Sequence, residues 1–245
     1  MATDAILSLD GVVSGYGKMT ILHGTTAQIR RGAITTIIGP NGAGKSTLFK
    51  AVFGLLPLRA GRVLFDGRDM TNAAPRTMLD AGVCYVPQGR NLFPELSVKH
   101  NLELGGVALG SRRDLADRVD ALMERFPMLR QKARLQASTL SGGQQKLLEV
   151  ARGLLLDPKL MLVDEPSIGL SPLMVQEVFA ILADLRQKGV TILLIEQNAK
   201  SALERSDYGL VLEQGQTRIE DTAERILADP RIGELFLGGG LRPAA

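Results

Sequence analysis

The sequence predicts an α/β fold with a mainly parallel sheet, and three short apolar runs carry that expectation. Residues 33–38 (AITTII), 159–163 (KLMLV) and 190–195 (VTILLI) are dominated by aliphatic and β-branched side chains, the pattern of strands buried on both faces. Each run ends in polar or glycine-rich chain: a glycine turn after the first, Asp164-Glu165 after the second, Glu196-Gln197-Asn198 after the third. Open α/β sheets gather their ligands at that edge.

Composition bounds the remaining possibilities. A chain of 245 residues suits one large domain, or a core with an attached subdomain. A single cysteine, Cys84, excludes a disulfide-built secreted scaffold and points to a reducing compartment. The net charge of +3 is scattered, with no basic run longer than Arg30-Arg31 or Arg112-Arg113. Such scatter reads as solvated surface rather than a nucleic-acid footprint. No apolar run approaches the ~20 residues of a membrane span, and MATDAILSLD lacks the basic-then-apolar order of a signal peptide. These observations predict a soluble cytoplasmic protein.

Along the chain, residues 6–14 and 25–29 alternate loosely and predict a small antiparallel sheet. The run at 33–38 leads through a glycine-rich turn into a helix over about 45–54. From about Ser97 to Leu156 the periodicity becomes helical, most clearly over 114–126 and 143–156, which predicts a helical subdomain inserted in the core. After residue 208 short strands return, followed by a helix opened by Asp221-Thr222 and a disordered ending, GGGLRPAA.

Gly39-Pro40-Asn41-Gly42-Ala43-Gly44-Lys45-Ser46-Thr47 matches G-x-x-x-x-G-K-[ST] without a gap, between a predicted strand and a predicted helix. Glycines let the backbone N–H groups turn inward on phosphate, and the helix adds its positive N-terminal end. Lys45 is placed to reach the β/γ-phosphates and Ser46 to offer a hydroxyl to Mg²⁺. In LMLVDEPS, strand alternation would send Asp164 and Glu165 in different directions, leaving Asp164 for Mg²⁺ and Glu165 for the attacking water. In Leu140-Ser141-Gly142-Gly143-Gln144, Ser141 and Gln144 predict a capping box. A plain cap needs no pair of glycines, which cost about 1 kcal/mol each in helix propensity. Their presence suggests a second anion cradle, one that serves another subunit's nucleotide.

Together these residues resemble the ATP-binding subunits of ATP-binding-cassette (ABC) transporters, over essentially 6–237. Five motifs stand in the family's order: the phosphate loop 39–47, Val86-Pro87-Gln88, Leu140-Ser141-Gly142-Gly143, Asp164-Glu165, and the polar switch after 190–195. The resemblance implies a single ABC domain over 1–237, with a P-loop core at about 1–90 and 157–237. It also implies an N-terminal antiparallel β subdomain, a helical subdomain at about 91–156 and a flexible tail at 238–245. It implies that Tyr16 stacks on adenine and that Gln88 contacts Mg²⁺ and the attacking water. Ser141, Gly142 and Gly143 would hold the γ-phosphate of the opposite subunit's ATP, and Gln197 would stand where the family usually has histidine, its amide donating a hydrogen bond to the γ-phosphate. Ser171 replaces the usual aspartate of the loop after the carboxylate pair. Glu196-Gln197-Asn198, the stretch Val86–Pro94 and the ending Leu227-Ala228-Asp229-Pro230 … Phe236-Leu237-Gly238-Gly239 look like the ATPases of branched-chain amino-acid importers.

The implied partners are a second ATP-binding subunit, two membrane permeases and, indirectly, a solute-binding protein, with no nucleic acid. The implied location is the cytoplasmic face of the cell membrane, and the implied ligands are ATP and Mg²⁺. Import of urea or short amides is the alternative within the family. A soluble, non-transport ABC ATPase is the alternative outside transport, although such proteins typically carry two cassettes or a coiled-coil insertion.

Overall fold

In a computed structural model, which describes residues 4–89, 91–107 and 112–232, the predicted apolar runs become the middle of one sheet. Strands β3 (Ile34–Ile38), β7 (Leu160–Asp164) and β8 (Thr191–Ile195) are buried at every position. The sheet also contains β6 (Val83–Val86), β9 (Tyr208–Glu213) and β10 (Gln216–Thr222), in the order β10-β9-β3-β8-β7-β6. From β9 to β6 all neighbours are parallel, and β10 closes the edge antiparallel to β9.

Burial on both faces follows from what covers the sheet. Alternate residues of β7 and β8 enter different cores: Leu160, Leu162, Leu193 and Ile195 join the first, Met161, Val163, Ile192 and Leu194 the second. The first core is completed by α1 (Lys45–Val52) and by the smaller antiparallel sheet. That sheet consists of β1 (Ala5–Tyr16), β2 (Met19–Arg30), β4 (Leu58–Phe65) and β5 (Arg68–Asp69), in the order β2-β1-β4-β5. The sites of β1 and β2 are legible in the sequence, and that of β4 is not. LRAGRVLF mixes two arginines and a glycine into its apolar residues, so its period is visible only once β1 lies beside it.

Between β6 and β7 the regular elements are helices: α3 (Val98–Gly105), α4 (Arg112–Arg125), α5 (Pro127–Gln131) and α6 (Gly142–Leu154). They pack with α7 (Pro172–Gln187) in the second core. The chain is completed by α2 (Pro75–Ala81), α8 (Ala199–Leu203) and α9 (Ala223–Ala228), the last capped by Thr222 as expected. No helix among the described residues is long and apolar enough to cross a membrane. The expected tail at 238–245 and the residues Phe236–Gly239 lie outside the described residues.

Candidate functional site

The polar edge of the parallel sheet is where the predicted residues meet. The chain leaves β3 at Gly39, whose φ of +153° lets the backbone pass against β9. A Cβ there would collide with the carbonyl oxygen of Leu212. The loop ends at Gly44, the left-handed N-cap of α1 (φ +101°), and no side chain caps that helix. Its first N–H groups are therefore left facing the loop. Lys45 is buried, with its ammonium donating to the carbonyls of Gly39 (2.7 Å) and Pro40 (3.1 Å). Desolvation lowers the Lys45 pKa, while the charges of Glu165 and Asp164 oppose that shift. Residues 41–47, Ile21 and Glu165 line a cavity of about 250 Å³.

Asp164 is the last residue of β7 and is 1 % exposed. Ser46 hydrogen-bonds its carboxylate, and the Tyr85 hydroxyl donates to Oδ2 at 3.4 Å. Oδ1 is buried with no partner. Burial raises the Asp164 pKa, and the neighbouring Glu165 charge raises it further. Glu165 is also buried, and its oxygen Oε2 accepts from two amides, Gln88 Nε2 at 2.7 Å and Gln197 Nε2 at 2.8 Å. Asp164 and Glu165 do face different partners, but strand alternation is not the reason. The strand ends at Asp164, and Glu165 takes a left-handed conformation (φ +47°) pinned by its N–H on Ile195 O at 2.9 Å. A non-glycine residue held there stores roughly 1–3 kcal/mol of strain.

Gln88 lies on Glu165 rather than on Asp164, so the residues expected around Mg²⁺ divide between the two carboxylates. The unpartnered Oδ1 of Asp164 beside the Ser46 hydroxyl fits a hard divalent cation, which prefers oxygen ligands. Among the described residues no group of three or more His, Cys, Asp or Glu side chains could hold a metal alone. Mg²⁺ typically takes one or two carboxylates and fills its remaining positions with phosphate and water.

Ser141 caps α6 in a full capping box: its hydroxyl accepts from Gln144 N (3.4 Å), and Gln144 Oε1 accepts from Ser141 N (3.2 Å). Packing also acts on the two glycines. A Cβ at Gly143 would collide with Cγ and Sδ of Met174, and one at Gly142 would lie 3.1 Å from Leu170 Cδ2. Gly143 thus packs closely against the Met174 side chain of α7. Ser171 accepts from Met174 N at 3.5 Å as the N-cap of α7. Tyr16 is 44 % exposed at the end of β1, and its hydroxyl accepts from Lys50 Nζ at 3.3 Å.

Several contacts in this region were not anticipated. Tyr85 backs Asp164, and its ring packs on Phe49 and Phe53. The loop after Gln88 is tied to α6, where the buried Glu149 accepts from Asn91 N (2.7 Å) and pairs with Lys146 (2.5 Å). Beside that loop opens an apolar groove of about 840 Å³, whose walls include the exposed side chains Leu55, Phe93, Leu104 and Val107. Tyr85, three residues before Gln88, left no sequence signal beyond its place in a short apolar strand.

A glycine loop joining a buried parallel strand to a helix, with a buried lysine near two carboxylates at the end of β7, defines a phosphate-loop nucleoside triphosphatase. Residues 22–168 match the family model described as ABC transporter. The chain is 38 % identical to the high-affinity branched-chain amino acid transport ATP-binding protein BraG of Pseudomonas aeruginosa, across 96 % of this chain and 100 % of that protein. It is 36 % identical to the probable branched-chain amino acid transport ATP-binding protein LivF of Archaeoglobus fulgidus, across 92 % and 95 %. A solved nucleotide-free ATP-binding cassette from an ABC transporter superposes with a TM-score of 0.87 at 30 % identity, across 95 % and 98 %. The chain belongs to the ABC transporter family, as an ATP-binding, ATP-hydrolysing subunit.

Proposed function

We propose that this subunit powers uptake of branched-chain amino acids, by closing as a dimer on MgATP and hydrolysing it. The observation that carries the hydrolytic part is the convergence of Gln88 and Gln197 on one oxygen of Glu165, beside the Lys45 cavity. The loop 39–47 seats the triphosphate with its N–H groups, Lys45 neutralises it, and Tyr16 stacks on the adenine. Ser46 and Asp164 hold Mg²⁺, which neutralises charge on the transferring phosphoryl group when bound. Glu165 takes the proton of the attacking water, and the two glutamine amides orient the carboxylate and the water. Keeping base and metal ligand as separate carboxylates matters, because a metal-bound carboxylate is a poor base.

Ser141, Gly142 and Gly143 act on the γ-phosphate of a partner subunit's ATP, as Lys45 acts on its own. The helical subdomain at about 91–156 carries that cradle, and the ties from α6 to the loop after Gln88 let the two move together. Two permeases complete the transporter on the cytoplasmic face of the membrane. The apolar groove beside the Gln88 loop supports their docking there. The branched-chain solute rests on the relatives' names and on Glu196-Gln197-Asn198. Deleting the gene in its host should abolish high-affinity leucine, isoleucine and valine uptake. Loss of urea or short-amide uptake with leucine uptake intact would replace the solute and keep the ATPase.

A further inference from the structure

Glu196, the first residue after β8, is 2 % exposed, yet the hydrolytic scheme gives it no task. A carboxylate is rarely buried this completely unless its oxygens are hydrogen-bonded. One residue of the neighbouring loop takes both of them. Ser167 donates its backbone N–H to Oε1 at 3.0 Å and its hydroxyl to Oε2 at 2.6 Å. Burial pushes the Glu196 pKa up, and the Ser167 bonds act against that shift. The chain segments leaving β7 and β8 are thus joined three times. Glu165 N bonds Ile195 O, Ser167 bonds Glu196, and Gln197 Nε2 bonds Glu165 Oε2. These ties enclose Glu165, whose backbone is held in a left-handed conformation.

We propose that Glu196 is a positioning residue for hydrolysis: through Ser167 it fixes both loops around Glu165 and so keeps the Gln197 amide on the carboxylate of the base. The inference rests on the reading of Glu165 as base and Gln197 as its partner. A carboxylate suits the place because its two acceptors match the two donors of Ser167. Glutamine keeps one acceptor for the Ser167 N–H and offers its own NH₂ to the hydroxyl oxygen. Alanine removes the acceptor of the Ser167 N–H.

The test is a double-mutant cycle on steady-state ATP hydrolysis by the full chain. Glu196→Ala should lower kcat about tenfold, within the reach of a misplaced proton-transfer group, and leave KM for ATP within about twofold. The KM holds because loop 39–47 is untouched. Glu196→Gln should restore turnover to within about threefold of wild type. Residues acting through one contact are not additive, so Glu196→Ala with Gln197→Ala should match Gln197→Ala alone within about twofold. A multiplicative defect, a KM rising as far as kcat falls, or Glu196→Gln as slow as Glu196→Ala would overturn the proposal.

Glu165→Gln and Gln197→Ala, run alongside, separate the two possible failures. Wild-type turnover in either removes the site reading and this inference with it. If both are slow while Glu196→Ala keeps the wild-type rate, only the positioning role fails. Should Glu196→Ala not fold, Ser167→Ala decides, because it removes the hydroxyl alone. A kcat loss that disappears in the Gln197→Ala background supports the role, and an unchanged kcat overturns it.

Discussion

Two helices of this protein begin on glycines, and the comparison shows that the same residue type can serve ligand access in one place and packing in another. At the start of α1 the glycines hold left-handed φ values, no side chain caps the helix, and a buried lysine sits beneath the loop. That start has free N–H groups and a countercharge of its own. At the start of α6 the capping box already uses part of the donor set, and Gly143 is closed in by Met174. The lysines near it are engaged elsewhere, Lys146 on Glu149 and Lys132 on the capping Gln144. We read the first start as a complete phosphate seat. The other we read as half of a site, completed by a nucleotide that arrives on a second subunit.

The comparison breaks most severely if the base is removed. Glu165→Gln should lower turnover by about 10²–10⁴-fold while MgATP stays bound. The ATP-bound variant should elute as a dimer on size exclusion, and a monomer would separate the two starts for good. Next in size, Ser141→Arg should cut hydrolysis by about 10²-fold, the order seen when one preorganised donor is lost. Its affinity for ATP, measured by fluorescent-nucleotide titration, should stay near wild type. A large fall in affinity would place Ser141 in its own subunit's site.

Gly143→Ala probes packing instead. Its methyl group meets Met174, so overpacking should cost about 1–3 kcal/mol. For a chain of this size that lowers Tm by about 2–4 °C per kcal/mol. Combining it with Met174→Ala should recover much of the loss in calorimetry. If Gly143→Ala melts like wild type, the packing account is wrong.

A smaller effect concerns pH. Gln197 carries no titratable proton, and the chain's two histidines, His23 and His100, lie on β2 and α3 rather than at this edge. Gln197→His should retain hydrolysis within about tenfold and add an inflection near pH 6.5 that the parent lacks. The smallest expected effect lies far from both helix starts and serves as a control. Hydrogen bonds from Lys159 and then Arg31 lower the Asp66 pKa to about 2. A depressed carboxylate stabilises the fold above its unfolded pKa near 3.9 and loses that contribution as pH falls through about 2. These pairs are solvent-screened, so Asp66→Asn should remove less than about 1 kcal/mol at neutral pH and leave hydrolysis unchanged.

Legibility followed distance along the chain. Loop 39–47 and Asp164-Glu165 were readable because each is a contiguous run whose geometry is set by one strand ending and one helix or turn beginning. The capping box at Ser141 was readable for the same reason, its partner being three residues away. Gln88 and Gln197 were placed by their order in the family pattern, and nothing local to either residue says that both point at Glu165. The packing of Gly143 on Met174 was not readable, because Met174 is 31 positions later and on another helix. Tyr85 behind Asp164, Glu149 on Asn91 and Ser167 on Glu196 went unread for the same reason.

By itself the sequence determined that a phosphate loop follows a buried parallel strand, that two carboxylates end another, and that a serine-capped helix starts in between. Those features depend on backbone conformation and burial period, which neighbouring residues dictate. The tertiary structure alone decided that β6, β7 and β8 stand side by side. That placement brings Gln88, Glu165 and Gln197 within hydrogen-bond reach and leaves one oxygen of Asp164 without a partner. Hydrogen bonds and excluded volume act over a few ångströms, so contacts between distant segments exist only once the sheet has assembled.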